Sequence, residues 1–293
     1  MPIIVPKGLP AVERLQHEGI YLLESIPTDA RPLRIMFLNI MPVKMATELD
    51  FFRALAPSPL YVEMVLTKLS GLTYKNTPQE YMDTFYTDFE SLKQQHFDGF
   101  IITGAPLDHI AYESVNYWKQ ISELFTWART NVRASLYVCW GALAGLYYHF
   151  GVQKHWMDTK IAGVYNHTIL APQMPLFKDF HNQFPMPNSR QTEVLRAEIE
   201  PIKELQIIAE SEETGVTIVS AREGKEIFTL GHLEYELQTL NHEYLRDMAK
   251  GIPAVRPENY YIDDEETKGA NFTWETSARL FYRNWLHEYV KEQ

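Results

Sequence analysis

Through its first half the chain alternates between short apolar runs and longer stretches with helical spacing. Residues 33–41 (LRIMFLNIM) are apolar almost throughout, the pattern of a strand buried on both faces. Over residues 47–56, Leu49, Phe52 and Leu55 fall on one side of a helix. Residues 60–67 alternate as a strand does, and residues 78–95 read as helical. Residues 97–104 (FDGFIITG) form a second buried strand that ends in glycine. Residues 114–129 repeat Tyr117, Ile121, Leu124 and Ala128 along one helix face, and residues 135–139 (SLYVC) make a third short strand. A helix is expected over 141–150. Strand and helix in alternation predict an α/β fold with a mostly parallel sheet flanked by helices. Sheets of this kind bind ligands beyond the carboxyl ends of their strands. Residues 39–44, 103–109 and 139–141 are the loops placed there.

The second half is more mixed. Strands are expected at 160–170 and 192–197 around a proline-rich loop, 172–187. Residues 215–220 and 226–230 flank a turn at 222–225 and predict a hairpin. A helix over 234–250 would end at Gly251, and a last helix is expected over 276–290. With no internal repeat or linker, residues 1–293 are read as a single domain with insertions.

Two candidate groups stand out. In Leu136-Tyr-Val-Cys-Trp-Gly-Ala-Leu-Ala-Gly145 an apolar strand ends at Cys139, turns at Trp140-Gly141 and enters a helix. This is a cysteine form of the nucleophile elbow: the turn lifts the sulfur out of the sheet, over a helix N-terminus that favours the thiolate. The bland alternative is an inert core cysteine. A nucleophilic cysteine needs a base, and the base an orienting group. Among 10 histidines, His232 follows the strand at 226–230 in Gly231-His-Leu-Glu234. In extended chain, residues two apart share a side, so His232 and Glu234 can face one cleft. The alternative is a surface histidine beside an acidic helix start.

Composition narrows the classes. The net charge of −11 disfavours nucleic acid and anionic membrane as partners. The single cysteine permits no internal disulfide and fits a reducing compartment. The N-terminus has no basic stretch followed by an apolar run, and the apolar runs are too short to span a bilayer, so a cytoplasmic protein is expected. His242-Glu243 lacks the second histidine of a zinc helix, so no metal site is expected, and no glycine-rich nucleotide loop is found.

A cysteine elbow with a late Gly-His-x-Glu resembles the class I glutamine amidotransferase-like fold. The sequence is similar, almost end to end, to one branch of it, the homoserine O-acyltransferases, also called homoserine transsuccinylases. The likeness is carried by MPIIVPKGLPA, LNIMPVK with Thr47-Glu48, IITGAPLDH, VCWGALAGLYYHFGVQK, Gly163-Val, Asn188-Ser-Arg-Gln-Thr-Glu193, GHLEY, TL-x-x-EY-x-RD and NWLHEYV. The resemblance implies that Cys139 carries the acyl thioester, that His232 is its base, and that Glu234 orients the base. It implies substrate contacts at Lys160, Ser189 and Arg246, and a homodimer. It also implies acyl-CoA as co-substrate, with no bound cofactor. A further expectation is an oxyanion hole from the backbone N–H groups of Trp140 and Ala105.

Within that family the residue at Asp108 is tied to the acyl donor: glycine goes with succinyl-CoA and glutamate with acetyl-CoA. A carboxylate there would repel and crowd a succinyl group, so acetyl-CoA is favoured, although Asp108 could equally cap a turn. L-Homoserine is the favoured acceptor. Glu275-Thr-Ser-Ala278, Asn188 and Met45-Ala46 depart from the family pattern, which keeps L-serine as an alternative acceptor. Homoserine O-succinyltransferase remains a second alternative. A glutamine amidotransferase or cysteine hydrolase on the same elbow is the competing enzyme class, and a binding protein on a decayed scaffold is the non-enzymatic one.

Overall fold

The computed structural model describes residues 3–292. Its centre is a twelve-stranded sheet. The labelled strands are β1 (Leu33–Leu38), β2 (Val62–Lys68), β3 (Phe97–Ile102), β4 (Val132–Val138), β5 (His155–Ile169), β6 (Gln183–Glu193), β7 (Leu205–Ser211), β8 (Gly215–Ala221) and β9 (Glu226–Thr229). Two-residue strands at Ile3–Ile4, Leu22–Leu23 and Thr87–Asp88 complete it. From Leu22–Leu23 and Ile3–Ile4 the order runs β2, β1, β3, β4, β9, β8, β7, β5, β6. Pairings are parallel as far as β9. Beyond it they are antiparallel.

The parallel strands are apolar on both faces because both are covered. In β1, Ile35 and Phe37 enter one core while Met36 and Leu38 enter the other. Helices α1 (Lys44–Leu55) and α5 (Glu275–Trp285) pack on the first side, through Phe51, Phe52, Phe281 and Trp285. Helices α2 (Trp118–Asn131) and α3 (Trp140–Phe150) pack on the second, through Leu124, Phe125, Leu143 and Leu146. A further helix, α4 (Thr239–Ala249), precedes α5. No helix among the described residues is long and apolar enough to cross a membrane.

The main departures from the expected elements have tertiary causes. The helix expected over 78–95 is two short ones, Gln79–Phe85 and Phe89–Leu92. Between them Tyr86 turns extended to place its hydroxyl on the buried Glu48, and Thr87–Asp88 joins the edge of β2. Of the strand expected at 192–197 only Thr192 and Glu193 are extended, as the end of β6, which runs back through Pro185 and Pro187, and Arg196–Ile199 is a helical turn. Proline lacks the N–H that an interior strand needs, but β6 is the sheet edge. The helix expected from residue 234 begins at Thr239, because 232–235 is held as a turn by Tyr235 N–H donating to His232 O at 3.4 Å. Strand β7 was not expected.

Candidate active site

Cys139 stands where β4 gives way to α3, at φ 53° and ψ −118°. Positive φ is rare for a residue with a side chain and marks a backbone held in place by its surroundings. Here Cys139 N–H donates to Thr229 O of β9 at 2.8 Å, and Cys139 O accepts from Leu143 N–H at 3.0 Å. Gly141 lets the helix start lie against β3, since a Cβ there would stand 2.8 Å from Thr103 O. Gly104 gives room to the cysteine: its Cβ would stand 3.1 Å from Cys139 Cβ and 3.8 Å from Trp140 N. As the first residue of α3, Trp140 has an N–H with no acceptor inside the helix. The loop bearing Ala105 therefore lies against the turn bearing Trp140, next to the sulfur.

His232 is 4% exposed. Its Nδ1 meets Glu234 Oε1 at 2.7 Å across the turn, and its backbone N–H donates to Pro187 O at 2.8 Å. The two side chains thus meet through a turn, not through the expected strand alternation. Tyr235 stacks on the imidazole, ring centroids 4.1 Å apart, and Tyr282 Oη donates to the other Glu234 oxygen at 3.4 Å. Burial opposes a charge on His232. The Glu234 carboxylate and the Cys139 sulfur outweigh it and hold the imidazole well above its ordinary pKa. Nε2 is buried with no partner in full hydrogen-bond geometry, and it lies close enough to the Cys139 sulfur for that group to favour its proton. A thiol, an imidazole and a carboxylate in this order can form a nucleophile, proton carrier and orienting group.

The remaining predicted residues fall in two groups. Lys160 and Arg246 converge on Asp247: Lys160 Nζ lies 3.2 Å from one oxygen, and Arg246 Nε and Nη2 lie 2.9 and 2.7 Å from the other. Burial raises the Asp247 pKa, but hydrogen bonds from Arg246 and Lys160 outweigh it and hold the carboxyl below its ordinary range. Ser189 sits in β6 opposite Ala162, half-buried. Asp108 accepts a hydrogen bond from Thr192 Oγ1 at 2.8 Å, tying the 103–109 loop to β6. That loop is also clamped by Lys154, whose Nζ donates to Leu107 O and Ile110 O at 3.3 and 2.7 Å.

Sequence reasoning missed Asp247, Lys154 and Arg190. Arg190 is buried, donates from Nη1 to Thr192 O at 2.6 Å, and leaves Nε without a partner. Burial pulls its pKa down, while the nearby Cys139, Glu193 and Asp108 oppose the loss of its charge. Lys154, Arg190 and Asp247 all lie in blocks that carried the family likeness, the one signal pointing to them. Among the described residues no cluster of three or more histidine, cysteine, aspartate or glutamate side chains is set to hold a metal ion.

The fold is shared with a glutamine amidotransferase from Thermotoga maritima, TM-score 0.59, over 89% of this chain and all of that one. Identity is 13%, so the likeness speaks for the fold alone. The homoserine O-acetyltransferase of Bacteroides fragilis is 45% identical over 100% of this chain and 97% of its own. That of Bacteroides thetaiotaomicron is 45% identical with the same coverage. The family model for homoserine O-succinyltransferases matches residues 2–293. With an end-to-end match to that family, the chain belongs to the homoserine O-succinyltransferases and is an acyltransferase.

Proposed function

We propose that this protein moves an acetyl group from acetyl-CoA to the side-chain hydroxyl of L-homoserine, through a thioester on Cys139. The observation that carries the reading is the Cys139 turn beside a buried His232 held by Glu234 at 2.7 Å. In the first step Cys139 gives its proton to His232 Nε2 and the sulfur attacks the acetyl carbonyl. The C–S bond to CoA breaks, and the His232 proton leaves on the CoA sulfur. Thioester exchange of this kind costs little free energy. In the second step the homoserine hydroxyl gives its proton to His232 and its oxygen attacks the acetyl carbon. The bond to Cys139 breaks, the ester leaves, and the thiol is restored. Each step passes through an oxyanion, which the N–H groups of Trp140 and Ala105 would hold.

The acceptor's α-carboxylate would lie at Arg246, on the Nη1 side of the guanidinium that Asp247 does not engage, and its α-amino group near Asp247. Lys160 and Ser189 complete that end of the cleft. Asp108, fixed by Thr192, would close the acyl end against a succinyl carboxylate. Acetyl as the donor group also accords with the names of the relatives. In this reading one acyltransferase domain works on small molecules in the cytoplasm, as a homodimer.

The test is a matrix of acetyl-CoA or succinyl-CoA against L-homoserine or L-serine, reading CoA release, with an intact-mass measurement after acetyl-CoA alone. The expected result is fastest release with acetyl-CoA and homoserine, and one acetyl group on the protein before acceptor is added. Cys139→Ala should lose both, with turnover down by about 10³-fold or more. Undiminished release by that variant would overturn the thioester. Preference for serine would change the acceptor, and preference for succinyl-CoA would remove the role given to Asp108.

A further inference from the structure

We propose that the cavity at the carboxyl ends of β1 and β2 holds the nucleotide end of the CoA donor, its phosphates on lysines and its adenine against a tyrosine ring. The assignment rests on the acyl-CoA reading above and adds where the donor lies. The cavity has a volume of about 360 Å³, within the range of small-ligand sites. Its lining includes Asn39, Lys44, Lys68, Tyr74, Lys75 and Tyr117, and every charged side chain in it is a lysine. In a chain of net charge −11 that is a local reversal of sign. CoA presents three phosphates, and lysine binds phosphate as a point charge.

The lysines are in different states. Lys68 is engaged by Asp83 at 2.5 Å and Asp88 at 4.0 Å. Lys44 is buried, with Nζ 2.6 Å from Asn39 O and 5.1 Å from the Tyr74 ring centroid. Burial lowers its pKa to about 8 against the pull of Glu48, so a phosphate alongside would favour its charged form. Lys75 is exposed and makes no hydrogen bond or ion pair with another described residue. It is the cation best placed to accept a new anion. Tyr74 and Tyr117 supply ring faces, and Asn76 and Asn116 neutral donors.

Topology places the cavity where donor and sulfur can be joined. The chain leaves β1 for β2 on one side and returns to β3 on the other. Ligands of open α/β sheets bind at such a reversal, which here falls between β1 and β3, so the cavity borders the reversal on the side away from β4. At the cavity rim, Ile40 N–H donates to Thr103 Oγ1 at 2.9 Å, and the next residue, Gly104, abuts Cys139. With strands about 4.8 Å apart, β1 and β2 lie roughly 10–15 Å from β4 and its sulfur, a gap an extended pantetheine arm bridges. The larger cavity, about 830 Å³, lies at the opposite ends of the strands, and Glu63, Asp98 and Glu292 are interspersed with its arginines.

The experiment compares kcat/KM for acetyl-CoA with that for S-acetylpantetheine, which carries the same thioester and no nucleotide. Lys75→Glu should lower the ratio roughly five- to tenfold, and Tyr117→Leu should lower it less. Lys203→Glu, a charge reversal at an exposed lysine outside the cavity, should leave it unchanged. CoA affinity, measured by calorimetry in a Cys139→Ala background, should fall with Lys75→Glu by the same factor, independently of turnover. If both thioesters are used and neither cavity variant moves the ratio or the affinity, the cavity assignment is wrong and the acyl-CoA reading stands. If the protein binds no CoA and accepts neither thioester, both fall together.

Discussion

The parallel and antiparallel halves of the sheet build the site by different means. In the parallel half the backbone is the instrument. Cys139 is lifted by its torsion and by N–H and C=O bonds to neighbouring elements, and Gly104 and Gly141 clear the space around it. In the antiparallel half and the loops beside it, side-chain pairs dominate. Asp108 meets Thr192 across 84 residues, and Lys160 meets Asp247 across 87. His232 stands at the junction, following the last parallel strand and donating its N–H to Pro187 on the far edge. In the proposed reading, reactivity is set by backbone geometry in one half, while selectivity rests on side-chain pairs in the other that single substitutions can alter.

This contrast can be broken at several points. The largest effect is expected at the junction. Glu234→Gln keeps the shape but weakens the hold on Nδ1, and acyl transfer should fall by roughly 10²–10³-fold in single-turnover measurements. A rate within about twofold of the parent would remove Glu234 as the orienting group. Next, Asp108→Gly should raise the kcat/KM ratio of succinyl-CoA to acetyl-CoA by roughly tenfold or more. An unchanged ratio would leave Asp108 as a partner of Thr192 only.

The smallest effect concerns stability. His167, buried in β5, has its pKa lowered to about 4, mainly by burial. The unfolded chain takes up that proton near pH 6.5 and the folded one does not. This stabilising contribution is therefore complete above about pH 6.5 and is lost as pH falls towards 4. His167→Gln should flatten the fall in melting temperature over that window. Parallel profiles for the two proteins would show that His167 does not report on burial in this half.

The same contrast explains what could be read from sequence. The strand–turn–helix at Cys139 is encoded in contiguous residues, as are the apolar runs of β1, β3 and β4. His232 and Glu234 were also legible as a pair, although a turn brings them together. The edge strand β6 was hidden because Pro185 and Pro187 read as loop, and only its place at the sheet edge makes them tolerable. Arg190 gave no local signal, since its meaning comes from burial beside Cys139 and Asp108. The split of the helix expected over 78–95 follows from Tyr86 reaching Glu48, a contact across 38 residues that no local window contains.

The torsion at Cys139 also bears on how such a chain can change. A left-handed backbone at a residue with a side chain costs on the order of 1–3 kcal/mol, and glycine would adopt it more comfortably. Any selection that rewarded thermal endurance alone would therefore press on this position and drift towards an inert scaffold. If Cys139 carries the acyl group as proposed, its sulfur persists only under continuous demand for that chemistry, and a descendant freed from the demand would be expected to show the loss here before its core had changed.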